Sequence, residues 1–239
     1  MVAEIPFVRD LTFDYGKVDQ VTPLIRRVIA KNPGPFTFHG TGTYIVGHGN
    51  VAVIDPGPLV DSHVDALLAA VADETVTHIL ITHTHRDHSP AAKPFKHVTG
   101  ASSYAQGPHS LGTTWSHLDQ DESHGADLDF QPDHAVRDGD IIAGDGWTLE
   151  AVHTPGHTNN HLCFALLEES VLFSGDHVMG WSTTVVSPPD GDMRDYIKSC
   201  RKLLERNEAT FWPTHGPSIR PFVFVFVSLS LSLSLSLSA

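Results

Sequence analysis

Cysteine and basic residues are scarce in this sequence. Its 239 residues include 2 Cys, and 15 Lys and Arg stand against 28 Asp and Glu, for a formal net charge of -13. Two cysteines are too few for a disulfide framework. The acidic balance offers no general attraction to phosphate backbones, so we predict no strong nonspecific nucleic-acid binding. No basic stretch followed by an apolar one precedes Gly16, which predicts no secretory signal and favours a cytoplasmic location.

A long apolar run is also missing. The tail alternates Phe with Val over residues 222–227 and Ser with Leu over residues 228–238. Its serines interrupt the ~20 apolar residues that a membrane span needs, so we predict no membrane contact. Because the tail departs from the preceding pattern, we predict one folded domain over residues 1–221 and a low-complexity tail, residues 222–239, outside the fold.

Histidine, in contrast, is abundant, with 17 residues. The densest cluster, His83-x-His85-x-Asp87-His88, directly follows the apolar, β-branched run Val76–Thr82, which predicts a buried strand. One histidine in such a place is more often a surface or hydrogen-bonded residue. Three with an aspartate favour a metal site, since histidine is the commonest metal ligand. Alternate side chains of an extended segment share a face, so His83 and His85 can reach one ion, and Asp87 and His88 a second as the backbone turns.

Three further candidate ligands follow predicted strands. His157 lies in a Pro-Gly turn, Asp176 in Ser-Gly-Asp-His and His215 in Thr-His-Gly-Pro. Taken alone, Asp176 is as readily a turn carboxylate and His215 a loop histidine. Their common position after strands favours ligation: His157 as a third imidazole for the first ion, His215 for the second, and Asp176 as a carboxylate that can bridge two cations. One rim of the sheets would then collect every ligand.

Hydrophobic periodicity divides the chain into alternating strands and helices. The first ~40 residues are punctuated by proline and predict an irregular arm, and Ser102–His134 predicts a long loop that often carries substrate contacts. Asp61–Ala72 and Met193–Glu205 have helical spacing, the second with Asp192 as a candidate cap. Strands are predicted at Thr41–Gly47, Val51–Asp55, Val76–Thr82, Asp140–Val152, His161–Leu167, Val171–Ser174 and Thr210–Pro213. This alternation predicts an α/β fold in which helices cover sheets.

The cluster and its three downstream partners together resemble the complete ligand set of the metallo-β-lactamase superfamily. The resemblance implies a four-layered αββα sandwich, with two mixed sheets covered by helices and the metals at one edge. It also implies an assignment of ligands. The first metal takes His83, His85 and His157, the second takes Asp87, His88 and His215, and Asp176 bridges them.

Asp55 matches the superfamily's early aspartate, which orients ligands without binding the metal itself. The alternative for Asp55 is a turn residue that ends a strand. Within the superfamily, residues 153–204 are similar to the lactamase-like endoribonuclease branch (β-lactamase-like protein 2). The similarity lies in Thr158-Asn159-Asn160-His161, Gly180-Trp181-Ser182-Thr183-Thr184-Val185 and Asp195-Tyr196. Members of that branch usually carry a winged-helix domain where this chain has its tail, so the resemblance to this branch supports the inference of RNA cleavage less strongly.

The resemblance implies a binuclear metal-dependent hydrolase. Two divalent ions, zinc before iron or manganese, would hold a bridging hydroxide that cleaves an ester, thioester or phosphodiester in a small-molecule or nucleic-acid substrate. Asp87 and His177 are the candidate catalytic residues: Asp87 would orient the nucleophile, and His177, with Thr183, would face the substrate. For His177 and Thr183, packing and turn hydrogen bonding are the alternative.

Four other functions stay open at this point. Two are hydrolases: a glyoxalase II-like thioesterase and an endoribonuclease that acts on single-stranded RNA. The third is a persulfide dioxygenase-like enzyme, which would hold one iron ion. The fourth is a metal-stabilised binding module without catalytic activity. Asp176 at the bridging position and the predicted lack of a signal argue against an antibiotic-resistance β-lactamase.

Overall fold

A computed structural model of the chain describes residues 7–110 and 125–220. Within these ranges the chain forms twelve strands and three helices. The strands are β1 Val18–Gln20, β2 Ile25–Ile29, β3 Gly42–Val46, β4 Asn50–Ile54, β5 Thr75–Leu80, β6 Ser102–Ala105, β7 His134–Ala135, β8 Ile141–Gly144, β9 Trp147–His153, β10 Leu162–Leu166, β11 Val171–Gly175 and β12 Thr210–Pro213. The helices are α1 Asp61–Ala70, α2 Ala92–Thr99 and α3 Met193–Leu204. The predicted tail, residues 222–239, lies outside the described residues.

The strands form two mixed sheets. The first has the order β1-β2-β3-β4-β5-β6-β7, antiparallel as far as β4 and parallel from there on. The second has the order β12-β11-β10-β9-β8, in which only the pair β11 and β12 is parallel. The predicted α/β sandwich of two mixed sheets is confirmed.

Three apolar layers hold the sandwich together. The central layer lies between the sheets and contains the fully buried rings of Tyr44, Trp147 and Phe164. On the outer face of the first sheet, α1 and α2 contribute Leu67 and Phe95 to a second apolar cluster. Each fully buried side chain of this size stabilises the fold by about 1.5–3 kcal/mol. The helices therefore cover the first sheet, as an αββα sandwich requires.

Helix α3 covers the second sheet. Its buried residues Tyr196, Cys200 and Leu203 recur at helical spacing and pack on the outer face of β9 to β12. The helix begins after Asp192, whose carboxylate accepts hydrogen bonds from the amides of Arg194 and Asp195. The predicted helix and its cap are confirmed.

Three expectations about the elements are wrong, and one helix was missed. The first ~40 residues are not an irregular arm, because β1 and β2 occupy residues 18–29 and β2 is a buried strand of the first sheet. The predicted loop Ser102–His134 begins with β6, and its residues 111–124 lie outside the described ranges. The predicted strand Asp140–Val152 is interrupted at Asp145-Gly146, where Gly146 has a φ of +77° and turns β8 into β9. Helix α2 was not predicted at all.

The described part of the chain contains no helix with the length and apolar character that crossing a bilayer requires. What positions the site is the direction of four strands. Strands β4 and β5 run parallel in the first sheet, and β11 and β12 run parallel in the second. Because parallel strands end at the same edge, the segments that follow them meet at one rim of the sandwich.

Candidate metal centre

Every predicted ligand follows a strand at this rim. The cluster His83–His88 follows β5, and Asp55 directly follows β4. On the second sheet, His157 lies in the turn between β9 and β10, Asp176 directly follows β11, and His215 follows β12. The structure brings all seven predicted ligands together. Their ligand atoms lie within 4.8 Å of one another in three sets: His83, His85 and His157; His83, His88 and Asp176; and Asp87, His88 and His215. The first and the last of these sets share no residue and are called the first and the second group below.

The first group consists of His83, His85 and His157. Nε2 of His83 lies 2.9 Å from Nδ1 of His85, and Nε2 of His157 lies 3.1 Å from the same atom. A tetrahedral zinc ion with Zn–N bonds of about 2.0–2.1 Å holds its ligand atoms roughly 3.3 Å apart. The three imidazoles therefore have a spacing that fits one such ion.

The second group consists of Asp87, His88 and His215. Oδ2 of Asp87 lies 3.1 Å from Nε2 of His215 and 3.7 Å from Nε2 of His88. Oδ1 of Asp176 lies 3.4 Å from Nε2 of His215 and 3.6 Å from Nε2 of His88. The other oxygen of Asp176 lies 3.8 Å from Nε2 of His157 in the first group. The Asp176 carboxylate thus faces both groups.

Three buried atoms at this point have no hydrogen-bond partner among the described residues: Nε2 of His88, Nε2 of His215 and Oδ1 of Asp176. Buried polar atoms in folded proteins are nearly always hydrogen-bonded, so orphans are uncommon. Here all three converge on one point, and all three are atoms that coordinate metals. The residues present therefore fit a bound cation.

The two groups differ in charge when no metal is bound. Burial lowers the pKa of His157 to about 4, and burial together with neighbouring His88 lowers the pKa of His83 well below its usual value. Burial also opposes charge on His215, but Asp176 and Asp87 outweigh it and raise the pKa of His215 to about 10. His83 and His157 are thus neutral imidazoles, whereas His215 in the second group carries a charge that the carboxylates of Asp176 and Asp87 compensate.

Asp55 holds the second group from outside. Its carboxylate is fully buried and accepts hydrogen bonds from Nδ1 of His88 at 2.9 Å, from the amide and hydroxyl of Thr82 at 2.8 and 2.7 Å, and from the hydroxyl of Thr214 at 3.0 Å. The bond to His88 leaves Nε2 of that ring facing the centre. The predicted orienting aspartate therefore lies where it can fix a candidate ligand.

Backbone carbonyls fix two more rings. Nδ1 of His215 donates to the carbonyl of Gly40 at 3.2 Å, and Nδ1 of His157 donates to the carbonyl of Val185 at 2.6 Å. In both rings the remaining nitrogen, Nε2, faces the centre, and a cation bound there would replace the proton that Nε2 of His215 carries in the metal-free chain. Such outer hydrogen bonds are the usual way in which proteins set the tautomer of a ligating histidine.

Two residues that contact this centre, and a third that contacts one of them, were not predicted. His161 accepts a hydrogen bond from the amide of Asp176 at 3.2 Å and bonds the hydroxyl of Thr154 through Nδ1 at 2.9 Å. Asp190 lies 3.6 Å from Nε2 of His85 and 3.2 Å from Nε2 of His109. His161 is in the Thr-Asn-Asn-His segment noted above, which is a usable signal. No local pattern marks Asp190 or His109, because their partners are distant in sequence.

The candidate substrate-side residues are placed differently. His177 is fully buried, its ring packs between those of His161 and Tyr196 at centroid distances of 5.7 and 4.7 Å, and it is not in the groups that could hold a metal. Burial lowers the pKa of His177 to about 3. Thr183 is partly buried beside Thr184, whose hydroxyl donates to the carbonyl of Asp176.

A small cavity opens beside the first group. Its volume is about 150 Å³, and it is lined by His85, His157, Val185, Ser187, Pro188, Pro189 and Asp190. A larger cavity of about 840 Å³ lies along α2 between Leu59 and Phe130, and none of its lining residues is a candidate ligand. Although it is larger, it is not the place where this chemistry would occur.

Comparison with known sequences gives the same picture. Residues 37–215 match the sequence profile of the Metallo-beta-lactamase superfamily. Among curated proteins, the chain is 34% identical to an atrochrysone carboxyl ACP thioesterase from Paecilomyces divaricatus, over 84% of this chain and 58% of that protein. It is 33% identical to a beta-lactamase-like protein 2 homolog from Caenorhabditis elegans, over 84% of this chain and 64% of that protein. The chain thus spans about three fifths of the length of these relatives.

Solved structures agree on the fold. A metallo-beta-lactamase family protein from Thermus thermophilus superposes with a TM-score of 0.72 at 21% identity, over 91% of this chain and 82% of that one. TTHA1623 in a di-iron-bound form superposes with a TM-score of 0.63 at 24% identity, over 83% and 96%. The resemblance inferred from the sequence is confirmed, and the chain belongs to the metallo-beta-lactamase superfamily.

Proposed function

We propose that the chain is a binuclear metal-dependent hydrolase that cleaves a thioester or a related ester of a small-molecule acid. The observation that carries this proposal is the carboxylate of Asp176, which lies between two groups of three candidate ligands. When bound there, two divalent cations would supply a water of lowered pKa and polarise the substrate's acyl oxygen. The mixture of imidazole and carboxylate ligands makes zinc the first choice and iron the alternative.

The chain's own residues divide the remaining work. Asp87 is the least buried carboxylate of the centre, with a side chain 27% exposed. Since one of its oxygens points at His215 and the group is open to solvent, we assign it the role of orienting the attacking water. Asp176 and the first group would then hold the reacting atoms among side chains that are mostly buried. His177 is fully buried and packs against the rings of His161 and Tyr196, so we assign it a packing role and no direct contact with the substrate.

The cavity beside the first group limits the substrate. At about 150 Å³ it has room for about five water molecules at ~30 Å³ each, much less than the 300–1,000 Å³ of typical ligand pockets. Its wall is apolar at Val185, Pro188 and Pro189. Such a cavity suits a narrow acyl end rather than a base or a sugar.

Among the hydrolases, two observations favour a thioester over RNA. Several curated relatives are themselves named as ACP thioesterases, and the net charge of -13 opposes the approach of a polyanion. Single-stranded RNA remains the second candidate substrate because of the similarity to beta-lactamase-like protein 2. A cytoplasmic location stays a prediction of the sequence.

The test is metal analysis coupled to a substrate panel. We expect about two metal ions per chain and chelator-sensitive turnover of acyl thioesters, with less turnover of lactones, β-lactams and single-stranded RNA. Asp87→Asn and His157→Ala should each lower turnover by at least about 100-fold. Asp145→Asn, which removes an exposed carboxylate from the turn between β8 and β9, is the matched control and should have no effect.

Three results would contradict the proposal. Turnover that survives complete chelation would exclude metal-dependent hydrolysis. One iron per chain would favour the dioxygenase-like alternative. Two metals per chain without turnover of any panel substrate would favour an inactive binding module.

A further inference from the structure

The segment 185–190 touches two of the three imidazoles of the first group from their outer side. The carbonyl of Val185 accepts the hydrogen bond from Nδ1 of His157 at 2.6 Å. At the other end of the segment, Oδ2 of Asp190 lies 3.6 Å from Nε2 of His85. The same segment lines the small cavity. It therefore contacts the candidate ligands and borders the space for substrate.

This segment is firmly placed by its neighbours. The amide of Gly191 donates to the carbonyl of Ser187 at 2.8 Å, and the amide of Asp192 donates to the carbonyl of Gly156 at 2.9 Å. A Cβ atom at Gly191 would lie 2.6 Å from the amide nitrogen of Ser187, so only glycine fits this turn. Asp192 then caps α3. Asp190 is thus held near the end of the connection between β11 and α3, where that connection is bonded to the His157 turn.

Asp190 is a buried carboxylate with two imidazole neighbours. Its side chain is 9% exposed, and Oδ1 lies 3.2 Å from Nε2 of His109, whose side chain is 2% exposed. Nδ1 of His109 lies 3.2 Å from the hydroxyl of Thr84, and that hydroxyl accepts a hydrogen bond from Asn160 at 2.8 Å. Thr84 can therefore donate its own hydrogen to Nδ1 of His109. In a neutral ring the proton then lies on Nε2, which faces Asp190.

His85 faces the first group with a different ring nitrogen from His83 and His157. It presents Nδ1 to the first group, whereas they present Nε2. A neutral imidazole has one N–H, so a cation on Nδ1 requires the proton of His85 to be on Nε2. That proton faces Asp190. The separation of 3.6 Å is too long for a hydrogen bond, but a carboxylate in a buried place still exerts an electrostatic attraction on an N–H.

We propose that Asp190 is a positioning residue for the first metal group. Its Oδ2 attracts the N–H on Nε2 of His85 and so favours the tautomer that ligation requires. The N–H on Nε2 of His109 faces the other oxygen of Asp190 and offsets part of the cost of burying this carboxylate. The affinity of the first group for a metal ion then depends on Asp190, and the affinity of the second group does not. This inference rests on the proposed binuclear centre.

The experiment measures Zn²⁺ affinity in competition with a chromophoric chelator, so it does not depend on turnover. Two parent variants separate the groups: His215→Ala disables the second group and His157→Ala disables the first. Asp190→Asn keeps the size of the side chain and removes its charge. We expect it to weaken Zn²⁺ binding by about 10–100-fold in the His215→Ala parent and to leave binding in the His157→Ala parent unchanged. Asp145→Asn is the matched control in both parents.

Thermal unfolding of the metal-free proteins completes the test. If Asp190→Asn weakens Zn²⁺ binding in the His215→Ala parent alone and leaves the melting temperature of the metal-free protein unchanged, the proposal is supported. Equal Zn²⁺ affinities with and without the substitution would overturn it, as would equal weakening in both parents. A metal-free Asp190→Asn protein that fails to fold would overturn it too, since Asp190 would then serve the fold. If the unsubstituted chain binds no Zn²⁺ at either group, the proposed function itself is wrong.

Discussion

Burying a carboxylate away from water costs free energy unless its oxygens accept hydrogen bonds, as those of Asp55 do. Its two oxygens accept four hydrogen bonds, from Thr82, His88 and Thr214. These partners belong to segments that follow β5 and β12, one from each sheet. A left-handed φ of +49° directs Asp55 toward them, at a cost of order 1–3 kcal/mol for a residue other than glycine. The backbone strain at Asp55 thus lies at the point where the two sheets meet the centre.

Another buried residue, His63, gives a pH-dependent stability. Burial lowers its pKa to about 4 in the folded chain, whereas the unfolded chain binds the proton near pH 6.5. Between these values the unfolded state holds more protons, so the free energy of unfolding falls as the pH falls, by up to about 3 kcal/mol at pH 4. We expect His63→Gln to flatten this part of the profile, measured by denaturant unfolding of the metal-free protein.

The internal control is the same comparison at pH 8, where His63 is neutral in both states. The difference there reports the lost contacts of the neutral ring, among them the one with the hydroxyl of Thr43, which lies 2.9 Å from Nε2. Parallel profiles for the two proteins from pH 8 to pH 4 would show that His63 does not contribute to the acid sensitivity.

At the scale of elements, the end of β11 sets the position of Asp176. Gly175 has a φ of +53°, and a Cβ there would lie 2.5 Å from Nε2 of His161, the atom that accepts the Asp176 amide. We expect Gly175→Ala to lower the free energy of unfolding by about 2–4 kcal/mol, from backbone strain and steric overlap, and to reduce metal content. Denaturant unfolding and metal analysis measure the two effects.

Gly100→Ala separates strain from overlap. Gly100 ends α2 with a φ of +72°, and a Cβ there would meet nothing within 4 Å. That variant should therefore lose only about 1–2 kcal/mol, the cost of the left-handed backbone, and keep its metal. The same loss of metal in both variants would argue against a special role for the turn at Gly175.

The elements also show what the sequence could and could not predict. The strands that precede the ligands are rich in β-branched and apolar residues, as in β5 and β11, and were predicted because buried strands have that composition. Strand β2 has two arginines at its centre. Arg27 is 4% exposed and is tolerated because Asp19 on β1 pairs with it at 2.8 Å. That compensation comes from a neighbouring strand, so no local pattern predicts it.

Helix α2 and the outer contacts of the centre were missed for related reasons. Pro94 lies in the first turn of α2, where a missing amide costs nothing, although proline usually marks a break. Four of the candidate ligands were found because they lie within six residues of one another, and the other three because each follows a predicted strand. His109 and Asp190 act on ligands only through the folded arrangement of three segments. Spacing along the chain does not determine such contacts.

At the scale of the whole molecule, neither sheet can complete a metal group alone. The first group takes His83 and His85 from the segment after the first sheet and His157 from the second sheet. The second group divides in the same way, with His215 from the second sheet. Bound metal ions would therefore join the two halves of the sandwich at the rim. This arrangement links metal binding to the stability of the entire fold.

Metal removal should accordingly destabilise the chain as a whole. With free metal at 100 times the dissociation constant, each site adds about 2.7 kcal/mol, so two sites add about 5 kcal/mol. For a domain of this size we expect the melting temperature to fall by roughly 10–20 °C after chelation, and calorimetry with and without chelator measures it. In His157→Ala and in His215→Ala, the fall in melting temperature on chelation should be about half of that in the unsubstituted chain. A melting temperature that is insensitive to chelator in a protein shown to bind two metals would mean that the halves are held together by the central apolar layer alone.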